Sequence, residues 1–134
     1  MAQLTIPKSI YDAMIQHLLT EYPLEACGIV AGKNGRLHHH YPIHNILQSP
    51  VAYKMDPHQQ IQTMLKIEDQ GWELTAVYHS HPKGAAYPSE TDVAQAYYPD
   101  TIQLIVSLQD VKNPQMRGYT IINGGITAVS LQIK

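Results

Sequence analysis

Apolar and polar residues follow two different periods along this chain, and the switches between them mark its elements. From about Pro7 to Glu21, Ile10, Met14, Ile15, Leu18 and Leu19 recur at helical spacing, and Pro7 suits a first helical position. Tyr22-Pro23 ends that helix, because the residue before a proline avoids the α region. Residues 26–32 form a short apolar run with β-branched residues at its middle, followed by the hairpin signal Asn34-Gly35. The chain is expected to return as a strand through Arg36 to Tyr41, and an edge strand is expected near Val51-Ala52-Tyr53. Asp56-Pro57 offers a cap and a first-turn proline for a second helix reaching about Gln70. Ile61, Met64, Leu65 and Glu68 keep a helical period there, and Gly71 is placed to stop it.

The run Leu74-Thr75-Ala76-Val77-Tyr78 reads as a buried strand, which Pro82 should terminate because proline cannot donate to a sheet ladder. Residues 84–88 read as a loop and 89–98 as a short helix, followed by a central strand over 101–108. A closing hairpin is expected from 115–122 and 126–133 across Asn123-Gly124-Gly125. Three helical segments among six or more strands predict an α/β protein with a mixed, mainly antiparallel sheet, in a single domain over residues 1–134.

Composition narrows the function classes. With 134 residues, 44% hydrophobic and 15% charged, the chain can bury a sizeable core. A net charge of −2 and the lack of any basic run leave nothing that favours nucleic acid or an anionic membrane as partner. The single cysteine, Cys27, excludes an internal disulfide and suits a reducing compartment. The first residues lack a signal-peptide pattern, and no apolar stretch approaches the roughly 18 residues of a membrane span, so a cytoplasmic location is expected. The sequence leaves monomer and homodimer both open.

The chemistry concentrates after the central strand, in His79-Ser80-His81-Pro82 and Ser89-Glu90-Thr91-Asp92. Residues two apart on a strand share a face, so His79 and His81 can present their imidazoles side by side. Ser89 is placed to cap the following helix and Asp92 falls in its first turn. Each piece alone has an ordinary explanation. Ser-x-x-Asp is close to a capping box, and alternating histidines are commonly a surface or half-buried pair. At this spacing beyond a buried strand, the pieces together describe a three-ligand site of His79, His81 and Asp92. A fourth position left open is the hallmark of a catalytic rather than a structural zinc. Cys27, inside an apolar strand, reads as a small buried hydrophobe rather than a nucleophile. His38, His39 and His40 should alternate faces and form no common site, and His17 and His44 read as ordinary histidines.

His-Ser-His-Pro, six residues, then Ser-x-x-Asp resembles the signature of the JAMM (MPN-plus, Mov34/PAD-1) metalloproteases. The upstream Pro23-Leu24-Glu25-Ala26-Cys27-Gly28 resembles that family's Pro-x-Glu-x-Cys-Gly context for a catalytic glutamate. The resemblance implies the MPN, cytidine-deaminase-like architecture, with helices flanking the sheet, and one zinc ion per chain at His79, His81 and Asp92. It implies that Glu25 acts as general base and that Ser89 donates to the tetrahedral oxyanion beside the metal. It also implies amide hydrolysis at the C-terminal Gly-Gly tail of a ubiquitin-like sulfur-carrier protein, the pattern of short stand-alone bacterial members. Such a tail could add as a strand along an exposed edge, for which residues 53–56 are the candidate.

Other metal-site classes fit poorly. A cupin needs a glutamate four or five residues after the second histidine, where this chain has Ala85 and Ala86. A zinc deaminase needs a Pro-Cys-x-x-Cys pair, and a histidine-triad hydrolase needs a third alternating histidine where Lys83 stands. The remaining rival is a metal-free MPN-like scaffold that binds a partner without cutting it. Such domains usually lack one or more of the five positions that are all filled here.

Overall fold

Alternation and turn chemistry translate into a mixed sheet in the computed structural model, which describes residues 3–134. The described residues form β1 (Gln3–Ile6), α1 (Lys8–Glu21), β2 (Cys27–Lys33), β3 (Arg36–Ile43) and α2 (Pro57–Asp69). They continue as β4 (Glu73–His81), α3 (Glu90–Ala94), β5 (Ile102–Ser107), β6 (Gln115–Ile122) and β7 (Gly125–Ile133). Strand order is β1-β3-β2-β4-β5-β6-β7. β1 runs parallel to β7 and also touches β3 at Thr5–Arg36, so the sheet curls round on itself. The β2–β3, β2–β4, β5–β6 and β6–β7 pairs are antiparallel and β4–β5 is parallel, which bears out the mixed, mainly antiparallel expectation. Both two-residue hairpins turn where the sequence placed them. Asn34 and Gly35 adopt φ of 54° and 77°, and Asn123 and Gly124 adopt 50° and 82°, the left-handed pair that a tight hairpin requires.

The core lies on both faces of β2 and β4. On one face, Met14 and Leu18 of α1 pack with Leu4, Ile6, Val30, Tyr78 and Leu104. On the other, Cys27, Ile29, Ala31 and Ile43 pack with Met55 and with Ile67 of α2. Tyr78 is fully buried, lies directly across from Gly28, and has its hydroxyl 2.8 Å from His17 Nδ1 on α1. A β-carbon at Gly28 would collide with the Tyr78 ring.

Several boundaries differ from the sequence expectation. β1 is a strand the periodicity did not announce, because four residues are too few to show a period. Pro7 sits at the N-cap of α1 rather than inside its first turn, while Tyr22, at ψ 133°, ends the helix as expected. No strand forms at residues 51–53, where Val51 is 81% exposed; the chain on either side of them makes an isolated bridge, Asn45–Met55. α2 keeps its period but not its expected face: Thr63 and Ile67 turn inward, whereas Ile61 and Leu65 are exposed. α3 stops at Ala94 instead of reaching Tyr98, because it buries none of its residues and only its cap and Asp92 tie it down. None of the described helices is long and apolar enough to cross a membrane.

The tight fit of Tyr78 over Gly28 generates a stability prediction. Gly28→Ala should lose about 1–3 kcal/mol in chemical denaturation through overpacking. An unchanged denaturation midpoint would mean that the Tyr78 ring swings aside freely.

Candidate metal centre

β4 carries its two histidines to the last turn of the ladder before Pro82 interrupts it, so both rings leave the same face. Their centroids are 4.9 Å apart and their Nε2 atoms 3.1 Å apart. Asp92 brings Oδ2 to 3.2 Å from His79 Nε2 and 3.1 Å from His81 Nε2. His79 is buried, and the side chains of His81 and Asp92 are each 11% exposed. Two ligands at zinc bond lengths of about 2.0–2.1 Å in a tetrahedron stand about 3.3 Å from one another. The three donor atoms therefore already sit at nearly the separations such an ion would impose, and two imidazoles with one carboxylate are a donor set suited to it. Among the described residues this is the one cluster of three or more such donors.

The three side chains are held by a further layer of hydrogen bonds. His81 Nδ1 donates to the carbonyl of Ala85 at 2.8 Å, which fixes the ring with Nε2 turned toward Asp92. Nδ1 of His79 is buried without a hydrogen-bond partner, and the Tyr53 ring packs against that imidazole at 4.6 Å. Asp92 belongs to a capping box. Ser89 N–H donates to its Oδ2 at 2.9 Å, and Asp92 N–H donates to Ser89 Oγ at 3.0 Å. One carboxylate oxygen thus faces both imidazoles and accepts from the cap.

The loop between β4 and α3 is equally fixed. Its carbonyls at Gly84, Ala85 and Ala86 accept from Ser107 Oγ on β5 at 2.7 Å, His81 on β4, and Tyr119 Oη on β6 at 2.6 Å.

Glu25 joins the site through sheet register. Cys27 pairs with His79, and carrying that register two residues back sets Glu25 opposite His81. Ser80, between the two histidines, fastens this end of the pair: its N–H donates to Ala26 O at 3.1 Å, and its Oγ accepts from Ala26 N–H at 3.0 Å. Glu25 is only 6% exposed. Burial, reinforced by Asp92 and opposed by His81, raises its pKa to about 7. Asp92 goes the other way. Burial pushes its carboxyl up, but hydrogen bonds from His79, His81 and Ser89 more than offset this and hold it well below the usual carboxylate range. Burial lowers the pKa of His79, while the Asp92 and Ala85 contacts outweigh burial at His81 and raise it. The Cys27 thiol is pushed up to about 12, first by burial and then by Glu25, consistent with an inert core residue.

The remaining histidines do not join this cluster. A bulge between Ala31 and Gly32 turns both His38 and His39 against Trp72, at 5.6 and 6.2 Å, so the strict alternation expected of them fails there. His40 faces Tyr78 at 6.4 Å, His17 is bound to Tyr78, and His44 is exposed. Sequence reasoning gave Ser80 no role and placed Tyr53 only on a candidate docking edge, not against His79. The position of Ser80 between two ligands was the only available signal, and nothing local marks Tyr53 as a neighbour of His79. A groove of about 450 Å³, walled by Tyr53, Met55, Pro57, Tyr97 and Tyr98, opens beside Asp92.

A family model described as prokaryotic homologs of the JAB domain matches residues 7–122. The CysO-cysteine peptidase of Mycobacterium tuberculosis is 36% identical over 126 residues, covering 92% of this chain and 86% of that protein. A probable TtuB-protein conjugate cleaving protease of Thermus thermophilus is 37% identical over 94 residues, covering 69% of this chain and 63% of that one. The solution structure of DSY2949 from Desulfitobacterium hafniense superposes with a TM-score of 0.88 at 30% identity, covering 98% and 92% of the two chains. A JAB1/MPN domain protein, AF2198 from Archaeoglobus fulgidus, shares the fold with a TM-score of 0.64 at 14% identity, covering 98% and 100%.

The raised pKa of Glu25 has a measurable consequence for stability. Its unfolded value lies near 4.5 and its folded value near 7, so the native state holds the proton more tightly and stability falls as pH rises through that window. In metal-stripped protein, Glu25→Gln should therefore raise Tm at pH 8, and the gain should shrink toward pH 5. A gain independent of pH would show that Glu25 is not a buried, neutral-preferring acid.

Proposed function

The chain belongs to the prokaryotic homologues of the JAB domain, and on that footing we propose that it is a zinc metallopeptidase acting on a ubiquitin-like sulfur-carrier protein. The bond cut is an amide at the carrier's C-terminal Gly-Gly tail, releasing an attached amino acid such as cysteine, or a peptide. The observation that carries this reading is the convergence of His79 Nε2, His81 Nε2 and Asp92 Oδ2 beside a buried Glu25. Relatives named as a CysO-cysteine peptidase and a TtuB-protein conjugate cleaving protease support it.

His79, His81 and Asp92 would hold the ion. When bound, zinc supplies Lewis acidity, polarising a carbonyl and bringing the pKa of a water down to about 7. Glu25 accepts the proton of the attacking water and returns it to the departing amine. A carboxyl whose pKa is raised to about 7 is suited to both directions of that transfer. Ser89 Oγ accepts from Asp92 N–H with a lone pair, which leaves its own proton available to the oxygen that gains charge. Capping and oxyanion stabilisation are therefore compatible in one hydroxyl.

The groove beside Asp92 suits an extended tail. In the Asn45–Met55 bridge, Ile46 N–H donates to Lys54 O and Asp56 N–H donates to His44 O. The peptide groups of Met55 consequently face away from that pairing, where an incoming strand could bond to them. Glycines in the tail would let its backbone approach Tyr53 and Tyr98 closely.

Two outcomes test the reading. Elemental analysis of untagged protein is expected to give about one zinc per chain in wild type and in Glu25→Gln, and none in His79→Ala. Wild type should cleave a carrier bearing a C-terminal cysteine, whereas Glu25→Gln should lose at least about a hundredfold in kcat. Zinc-free wild type after reconstitution would sink the hydrolase reading. Separately, Ser89→Ala should lose on the order of a hundredfold in turnover, against about 1 kcal/mol of stability for the lost cap. Normal turnover in a variant that melts early would reduce Ser89 to a cap.

A further inference from the structure

We propose that Asn45 is a positioning residue for this reaction, locking the backbone of Glu25 to the wall of the groove; the proposal rests on the hydrolase reading above. Glu25 lies ahead of β2, whose ladder begins at Cys27, so the sheet does not hold its peptide groups. Both are held instead by the loop that follows β3. Glu25 N–H donates to Ser49 O at 2.9 Å, and Glu25 C=O accepts from Asn45 Nδ2 at 2.9 Å.

The rest of the Asn45 side chain is committed to the same loop. Its second Nδ2 proton goes to Ala52 O at 3.1 Å. Oδ1 accepts from Leu47 N–H at 3.0 Å and from Lys54 N–H at 3.1 Å. A side-chain amide offers two donors and two lone pairs, and all four are used in a residue only 8% exposed. Aspartate would lack the donors that hold Glu25 and Ala52, and alanine would lack both halves.

Through this one amide, the backbone under the base is joined to residues 52–54, and Tyr53 and Lys54 line the groove beside Asp92. The base and the track for the scissile bond therefore share a single fixed reference. A displacement of about 1 Å in such an arrangement can cost roughly a hundredfold in rate. The metal ligands are anchored independently, on β4 and on a loop tied to β5 and β6, with no bond to Asn45. Metal retention and turnover should therefore separate when Asn45 is changed.

The test compares full-length wild type, Asn45→Ala, Asn45→Asp and Glu25→Gln. The readouts are zinc content, amide hydrogen exchange, and kcat and KM on a ubiquitin-like carrier bearing a C-terminal cysteine, taken well below each melting temperature. Both Asn45 variants should keep about one zinc per chain while kcat falls about tenfold to a hundredfold. Exchange at Leu47 and Lys54 should accelerate in Asn45→Ala but stay slow in Asn45→Asp, which keeps the acceptor. A wild-type kcat per bound zinc in either variant, with only a lower Tm, would overturn the proposal and leave Asn45 a packing residue. Loss of zinc in both variants would overturn it too, by placing the effect at the metal ligands. A zinc-loaded wild type that cleaves no adduct would remove the hydrolase reading, and this proposal with it. That result is distinct because wild type and Glu25→Gln would then be equally inactive.

Discussion

The pairing of β2 with β4 in one register decides where Glu25, His79 and His81 lie. With Cys27 across from His79, the two histidines and Glu25 leave the same face of the sheet, while Ala26, Gly28 and Tyr78 leave the other. A slip of one residue would send each of them to the wrong side. The register is enforced from both faces. Under α1, the ring of Tyr78 fills the space over Gly28 that any side chain would occupy. At the end of the pair, the hydroxyl of Ser80 takes the place of a ladder acceptor for Ala26 N–H. Glycine in one strand and serine in the other thus fix the register.

Within that frame, two carboxyl groups close to the same histidines are driven in opposite directions. Asp92 collects hydrogen bonds from both imidazoles and from the Ser89 amide, which keeps it ionised despite burial. Glu25 has burial as its largest influence and moves up to about 7. Environments that push paired acids apart assign them different work. An acid that stays charged is suited to holding a cation, and one that titrates near neutrality is suited to carrying a proton.

Much of this could be read from the chain because the site is local. His79 and His81 lie on one strand and Asp92 in the first turn of the next helix, so strand period, a proline stop and a capping box place all three. Glu25 is far away in sequence and became visible only through the family resemblance, since a lone glutamate before a strand carries no period. The two-residue turns at Asn34-Gly35 and Asn123-Gly124 were legible because few residues accept positive φ. What escaped depended on long-range fit. The inward face of α2 is set by the filled sheet beneath it, which accepts Thr63 and Ile67 while the more apolar Ile61 and Leu65 stay outside. The expected strand at 51–53 yields to a loop organised by Asn45, whose four hydrogen bonds leave no trace in periodicity.

The loop of Gly84, Ala85 and Ala86 has a composition usually associated with flexibility, yet three successive carbonyls are gripped by three different strands. Glycine and alanine surrender no side-chain rotamers on ordering, so fixing this loop costs backbone entropy alone. Freeing Asp92 by moving the loop would mean breaking bonds to β4, β5 and β6 together. The segment cannot fray by itself in the manner of an ordinary surface loop, and its opening is tied to the loosening of the sheet as a whole. The side of the groove that bears His81 and Asp92 is thereby tied to the sheet through three of its strands.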